Sequence, residues 1–275
     1  MSLKEETLQE LNEIGLKPVQ GQNFLINEHM ITALVEAGEI EDEDILEIGP
    51  GTGNITEELL EKKDGSGTIT AVEKDTVLYE HLNEKFSQEI ENREISLENK
   101  DILRTELSGY TRCVGNLPFQ ITSEIIEKLG EEQIQSALIV QDDLADKITA
   151  DPGEKQYGPA TVRAQYYFIP VKLQTIPKIN YHPEPEVDTA IIKLYPNRDR
   201  HEIQDEEWFF QVVKALYTHK MKKTRNAVVD SRHILEEDKD SLKEIKDEIP
   251  HSEKRVVQLN IKELNEIAEE LEAAL

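Results

Sequence analysis

Short apolar runs bounded by turn residues alternate with stretches of helical periodicity over the first two-thirds of the chain. Asp44–Ile48, Thr68–Val72, Ile95–Glu98, Arg112–Val114, Ser136–Val140, Val162–Phe168 and Thr189–Leu194 read as strands, and Asn54–Glu61 and Thr76–Phe86 as two of the helices between them. Such alternation is the signature of an open, mostly parallel α/β sheet, because a parallel neighbour is reached only through a long crossover. The last two runs are joined without a helical pattern, which predicts an antiparallel hairpin at one edge of a seven-stranded mixed sheet. After Tyr195-Pro196-Asn197-Arg198-Asp199-Arg200 the pattern changes, and from Asp205 to Leu275 only helical periodicity remains. The expected organisation is an α/β domain over residues 1–198 and a small all-helical domain over residues 199–275.

Composition changes this picture in three ways. At 275 residues the chain can bury a core for both domains. No apolar run approaches the roughly 18 residues of a membrane span. The first residues, Met1-Ser2-Leu3-Lys4-Glu5-Glu6, form no apolar leader, so a cytoplasmic protein without membrane partners is expected. The single cysteine, Cys113, excludes an intrachain disulfide and a cysteine-rich metal centre; its apolar surroundings predict an inert buried thiol, and no metal is expected.

The formal net charge of −26 argues against a nucleic-acid partner, since phosphates call for a basic face. The distribution changes that conclusion. Neither Lys155 to Pro183 nor Trp208 to Val229 contains an Asp or Glu, and the second stretch carries Lys214, Lys220, Lys222, Lys223 and Arg225. Part of the first reads equally as buried strand, and the cluster in the second as a solvated helix end. An acidic shell around a local basic face fits adaptation to high internal salt, which predicts stability rising with KCl. The abundance of isoleucine and the excess of lysine over arginine point the other way.

Candidate chemistry begins at Glu47-Ile48-Gly49-Pro50-Gly51-Thr52-Gly53, where a strand turns into a helix. Glycines at Gly49, Gly51 and Gly53 permit a tight turn and a close approach of ligand to backbone. The spacing is not the G-x-G-x-x-G of dinucleotide sites, and taken alone it reads equally as a plain turn. Glu73 ends the next strand, where an acid can accept both hydroxyls of a ribose, although a lone acid there reads more readily as a solvated strand end. Asp101 follows the third strand, where a carboxylate can accept from an adenine amino group or simply cap a helix. Open α/β sheets bind ligands at the carboxyl ends of their strands, where all three features fall. The turn has no basic residue for a pyrophosphate, so S-adenosylmethionine fits better than NAD, and the sheet expected is that of a Rossmann-like class I methyltransferase.

The acceptor side is Asn116-Leu117-Pro118-Phe119. Adenine N6 is a poor nucleophile because its lone pair is delocalised into the ring. The Asn116 side-chain oxygen and the Leu117 carbonyl can each accept one N6 hydrogen, which orients the nitrogen by positioning rather than by a strong base. Pro118 fixes the turn, and Phe119 can stack on the base. Tyr181 offers a second aromatic wall, or is a surface loop aromatic. A base within a helix cannot reach such a site, so the target is flipped out or already unpaired.

The chain resembles the KsgA-type small-subunit ribosomal RNA adenine N6,N6-dimethyltransferases. The matching segments are Gly21-Gln22-Asn23-Phe24-Leu25, Leu46 to Gly53, Gly115-Asn116-Leu117-Pro118-Phe119, Val140-Gln141, Tyr157-Gly158, Pro183-Glu184-Pro185-Glu186-Val187-Asp188 and Lys222-Lys223-Thr224-Arg225-Asn226, in the family's order. The resemblance implies that Asn23 and Leu25 close over the cofactor, with Gly49, Glu73, Asp101 and Asn116 completing its site. It also implies a substrate of two adjacent adenosines near the 3′ end of the small-subunit rRNA, dimethylated in an assembling subunit; a monomer is expected. The helical tail would dock RNA, with Lys220, Lys222, Lys223 and Arg225 as the phosphate contacts. Phe119 stands where the family usually has tyrosine, which keeps the stacking ring and removes a hydroxyl. Three other readings remain open: an Erm-type large-subunit rRNA methyltransferase, a catalytically inactive ribosome-assembly factor, and a small-molecule methyltransferase.

Overall fold

A computed structural model describes residues 1–19, 21–40, 43–63, 67–200 and 202–274. Its strands are β1 (Phe24–Leu25), β2 (Ile45–Ile48), β3 (Ile69–Glu73), β4 (Ile95–Asn99), β5 (Arg112–Asn116), β6 (Gln135–Gln141), β7 (Phe168–Ile176), β8 (Tyr181–His182) and β9 (Thr189–Pro196). The helices are α1 (Leu3–Glu13), α2 (Glu28–Gly38), α3 (Asn54–Lys62), α4 (Thr76–Lys85), α5 (Ser87–Glu91), α6 (Thr122–Glu131), α7 (Asp142–Ile148) and α8 (Pro159–Tyr167). They continue with α9 (Glu206–Tyr217), α10 (Thr224–Asp230), α11 (Arg232–Leu235), α12 (Lys239–Ile245) and α13 (Ile261–Ala274).

Seven strands form one sheet in the order β4-β3-β2-β5-β6-β9-β7. Neighbours from β4 to β6 are parallel, and β9 runs antiparallel to both β6 and β7. The chain builds outward from β2 in one direction through β3 and β4, then returns to build the other way through β5 and β6. The crevice between β2 and β5 is therefore the point where strand order reverses, which is where such sheets bind ligands. Every residue of β2 and β3 is buried. Leu34 and Val35 of α2 and Leu59 of α3 pack with Ile45, Ile69, Val114, Ile139 and Ile191 of the sheet. Each fully buried side chain of this kind contributes roughly 1.5–3 kcal/mol.

The expected strand at Val162–Phe168 is instead the end of α8, and only Phe168 belongs to a strand, as the first residue of β7. Val162 and Tyr166 lie one helical turn apart and are buried with Ala164 and Tyr167. Its aromatic and β-branched residues suit a strand by local preference, and tertiary burial makes the run helix. The sixth strand is β7, which has Pro170 in its interior. Proline is tolerated there because β7 is an edge strand whose outer side has no ladder to complete. A further element without a local signal is the two-stranded ribbon in which β1 pairs with β8, Phe24 opposite His182 and Leu25 opposite Tyr181.

The chain divides into two compact units, Met1–Ala145 with Phe168–Pro196, and Asp146–Tyr167 with Asn197–Leu275. The break after Pro196 lies close to the expected boundary, but Asp146–Tyr167, expected in the α/β domain, belongs to the helical unit. Asn197 explains the grouping: its N–H donates to the Tyr167 carbonyl at 2.8 Å and its side chain to the Gln165 carbonyl at 3.2 Å. The Tyr166 and Tyr167 hydroxyls both donate to Glu206, at 2.7 and 2.9 Å. Among the described residues from Asp205 onward there is no strand, only an isolated bridge between Lys223 and Arg255. No helix among the described residues is long and apolar enough to cross a membrane.

Candidate functional site

The turn after β2 carries Gly49, Gly51 and Gly53 at φ of +67°, +63° and +90°, a left-handed backbone that side chains disfavour. It is closed by the Gly53 N–H on the Pro50 carbonyl at 2.9 Å and anchored by the Gly49 N–H on the Val72 carbonyl at 3.0 Å. Space is also short at two of these positions. A Cβ on Gly51 would stand 3.1 Å from the Phe24 ring, and one on Gly53 2.7 Å from the Phe86 ring. Helix α3 starts at this turn without a side-chain cap, so its first-turn amides remain for a ligand.

A cavity of about 470 Å³ opens at the reversal point of the sheet, within the usual range for a small-molecule site. Asn23, Leu25, Gly49, Gly51, Glu73, Asn116, Leu117, Pro118 and Phe119 all line it, so the sequence-predicted donor and acceptor residues share one chamber. Glu73 is 7% exposed. It accepts the Gly51 N–H at 3.2 Å and the Asp75 N–H at 2.9 Å, which holds the carboxylate against the turn. Burial pushes its pKa up, and these backbone donors oppose the shift. A carboxylate with two such bonds retains lone pairs for further donors.

Asn116 ends β5 and donates its side-chain N–H to the Asn23 carbonyl at 2.9 Å. That bond assigns the amide's orientation and leaves Oδ1 as the group available to accept. The following loop is fixed at several points. The Leu117 N–H donates to the Ile139 carbonyl at 3.1 Å, and the Pro118 carbonyl accepts from the Ile121 N–H at 3.2 Å and the Thr122 hydroxyl at 3.0 Å. Phe119 is half-buried on the cavity wall.

Two predicted residues do not line the cavity. Asp101 accepts from Lys74 at 2.9 Å and from the Leu103 N–H at 3.1 Å, capping a short 3₁₀ turn, Ile102–Arg104. The lysine's hydrogen bond is the main cause that holds its carboxyl below the usual range. Tyr181 is 2% exposed within the core, its hydroxyl 2.6 Å from that of Thr189. Pairing of β8 with β1 turns its ring inward, so it is neither a cavity wall nor a surface loop aromatic. The basic cluster lies in the helical unit with its cations engaged. Lys222 bridges Asp230 at 2.7 Å, Lys223 bridges Glu253 at 2.5 Å, and Arg225 meets both Asp247 and Glu253. Lys220 donates to the Lys155 carbonyl at 2.8 Å. Cys113 is buried as expected, and burial pushes its thiol well up.

Several residues of the site have no role that the sequence assigns, although Gln22 and Glu47 lie within the matching segments. Gln22 reaches Asp75 at 3.3 Å, pinning the segment before β1 over the cavity. The Gln120 amide would lie 2.6 Å from a Cβ on Gly21. Glu47, wholly buried beneath the turn, accepts the Thr56 hydroxyl at 2.8 Å while its Oε1 has no partner among the described residues. Burial pushes its pKa up to about 8. The local hint of Glu47 is a lone acid inside the apolar run Ile45-Leu46-Glu47-Ile48.

The model of the ribosomal RNA adenine dimethylase family matches residues 16–272. A probable ribosomal RNA small subunit methyltransferase A of Thermococcus sibiricus is 35% identical over 266 residues, 94% of each chain. The protein of the same name from Haloquadratum walsbyi is 35% identical over 217 residues, 78% of this chain and 72% of its own. Among solved structures, a dimethyladenosine transferase from Plasmodium falciparum superposes with a TM-score of 0.75 at 20% identity, over 90% of this chain and 97% of its own. The 23S rRNA methyltransferase ErmE does so at 0.64 and 23% identity, over 90% and 99%. Both share the fold.

Proposed function

The chain belongs to the ribosomal RNA adenine dimethylase family, and on that premise we propose that it dimethylates N6 of two adjacent adenosines near the 3′ end of small-subunit rRNA in an assembling ribosomal subunit. The observation that carries this reading is Asn116. Its amide is locked by the Asn23 carbonyl and faces the same cavity as the glycine turn and Glu73. S-adenosylmethionine, when bound, supplies an electrophilic methyl group on a sulfonium sulfur. The residues fit it: Glu73 is a buried carboxylate beside a backbone that ligand can approach closely, and the turn holds no cation for a pyrophosphate.

In the first transfer Asn116 Oδ1 and the Leu117 carbonyl accept the two hydrogens of N6 and aim its lone pair at the methyl group, while Phe119 stacks on the base. One N6 proton is lost to solvent at each transfer, so the second has a single hydrogen to hold. This is catalysis by positioning, worth most when the groups are already held. A flipped or unpaired adenosine satisfies the geometry. The helical unit docks the RNA through Lys220, Lys222, Lys223 and Arg225, in a monomeric cytoplasmic protein. A relative named for the small subunit that matches 94% of both chains favours that target over the large-subunit one. Labelled methyl transfer to unmodified small subunits, large subunits and naked rRNA tests the reading, with primer extension to map the adenines. Transfer to large subunits alone would overturn it in favour of an Erm-type enzyme. Cofactor binding without transfer to any substrate would make the chain an assembly factor.

A further inference from the structure

One face of α1 ends on the glycine turn, although none of its own residues lines the cavity. Thr7, Glu10 and Leu11 stand at helical spacing on a single stripe. Thr7 is fully buried, and Leu11 is 3% exposed. Each reaches a residue that touches the turn. Asn54, the first residue of α3, donates to the Thr7 hydroxyl at 3.1 Å and to the Leu25 carbonyl at 2.9 Å, and its Oδ1 accepts the Thr52 hydroxyl at 3.2 Å. That amide joins α1, the segment over the cavity and the turn in one buried node. Lys85 ends α4 and is 16% exposed at its side chain; it donates to Glu10 at 2.7 Å, to Glu57 at 2.9 Å and to the Thr52 carbonyl at 2.9 Å. All three ammonium hydrogens are thereby used, one of them on the peptide that leads into Gly53. Leu11 packs with Phe24 and Leu78, and the Phe24 ring is the group that lies against Gly51.

We propose that α1 positions the donor-binding turn, with Thr7 acting through Asn54, Glu10 through Lys85 and Leu11 through Phe24, so that affinity for the methyl donor is set from a helix outside the sheet. A helix that only added stability would need no polar contact to the turn. Here a buried amide and a saturated ammonium fix both the side chain and the carbonyl of Thr52. Without Thr7 Oγ1, one Asn54 N–H is left buried and unpaired. Without the Glu10 charge, Lys85 loses its shortest ion pair, and only Glu57 still holds the ammonium beside the Thr52 carbonyl. In either case the turn samples conformations that do not receive the donor. The inference rests on the proposed function for the identity of the ligand, but not for the state of the turn.

The test compares Thr7→Val with Thr7→Ser, and adds Glu10→Gln as an independent second break. Two readouts are taken: calorimetric affinity for S-adenosylhomocysteine, and amide hydrogen exchange of Gly51 to Asn54 in protein without ligand. Thr7→Val and Glu10→Gln are each expected to weaken binding roughly tenfold, the scale of one buried hydrogen bond. They should also speed exchange at the turn, while Thr7→Ser, which keeps the acceptor, stays within about twofold of wild type on the same scale. Variants that melt earlier but bind and exchange like wild type would overturn the proposal and leave α1 as scaffold. If Thr7→Val does not fold, Glu10→Gln gives the decision on the same two readouts. Should wild type bind no S-adenosylhomocysteine, the cofactor assignment fails, and turn exchange without ligand still decides this inference.

Discussion

Glu73 and Lys223 are both charged residues that the sequence points to as meeting a ligand, yet the fold holds them in opposite ways. Glu73 is buried, held by two backbone amides beside a rigid turn, and it can change partner only if the turn moves. Lys223 stands at the surface with nearly half its side chain exposed, paired with Glu253. Lys222 and Arg225 are engaged in the same manner by acids elsewhere in the sequence. Exposed pairs of this kind are worth about 0–1 kcal/mol and weaken with salt, so a phosphate can take the place of the carboxylate. On the proposed function, the donor cavity recognises by preorganised shape, whereas the basic cluster recognises by exchangeable charge. The two should fail differently when perturbed.

The largest effect is expected at the rigid end. Asn116→Ala removes an acceptor for N6 whose geometry the Asn23 carbonyl sets, and turnover should fall by at least about a hundredfold. Donor affinity should fall much less, as calorimetry beside single-turnover assays would show. Turnover within a few-fold of wild type would remove Asn116 from its proposed role.

Phe119 comes next. Stacking of a base on an aromatic ring is worth about 1–3 kcal/mol. Phe119→Ala should therefore cost roughly tenfold to a hundredfold in kcat/KM, and Phe119→Tyr, which keeps the ring, little. Equal damage from both would make Phe119 a packing residue.

The buried side of the comparison also carries a pH signature. Burial raises the Glu47 pKa from 4.5 to about 8, so the folded state holds this proton more tightly than the unfolded chain. The associated stability is fully present below the unfolded value and is lost as pH rises through about 8. The slope cannot exceed about 1.4 kcal/mol per pH unit. Glu47→Gln keeps an acceptor for Thr56 and cannot ionise, so its advantage in unfolding midpoint over wild type should grow from pH 5 to pH 8.5. An advantage independent of pH would mean that Glu47 is not the titrating group.

The smallest effect per residue belongs to the exchangeable end. Lys222→Glu with Lys223→Glu should weaken binding to small subunits and reduce the salt slope by about 0.7–0.9 for each phosphate that the protein no longer neutralises. Affinity for the methyl donor should not change. Unchanged subunit binding with an unchanged slope would place the RNA face elsewhere, with the acid-free stretch from Lys155 to Pro183 the next to test.

The sheet was legible because strand and helix periodicities differ, and six of the seven expected strands coincide with observed ones to within two residues at each end. The seventh failed at Val162–Phe168, where β-branched and aromatic residues suit a buried helix face as well as a strand. Proline in β7 hides the true strand from a local reading, because only its edge position makes that residue acceptable. In the cavity, Gly49, Gly51, Glu73 and Asn116 to Phe119 were legible because each occupies a strand end in a fixed relation to a turn. Asp101 occupies a strand end too, but Lys74 and a backbone amide hold it outside the wall.

The sequence by itself determined the order of most strands and helices, the glycine turn and the acceptor tetrapeptide, because these depend on neighbours a few residues apart. Only tertiary structure decided the rest. Strand pairing brought Tyr181 beside Leu25 and so buried a ring whose place local sequence left open. Long-range contacts placed Asp247 and Glu253 against a run of cations with no acid among its neighbours in sequence. Packing of α1 set Thr7 and Glu10 behind a turn some forty residues away. Burial, charge pairing and pKa are properties of what surrounds a side chain in space, and periodicity along the chain does not carry them.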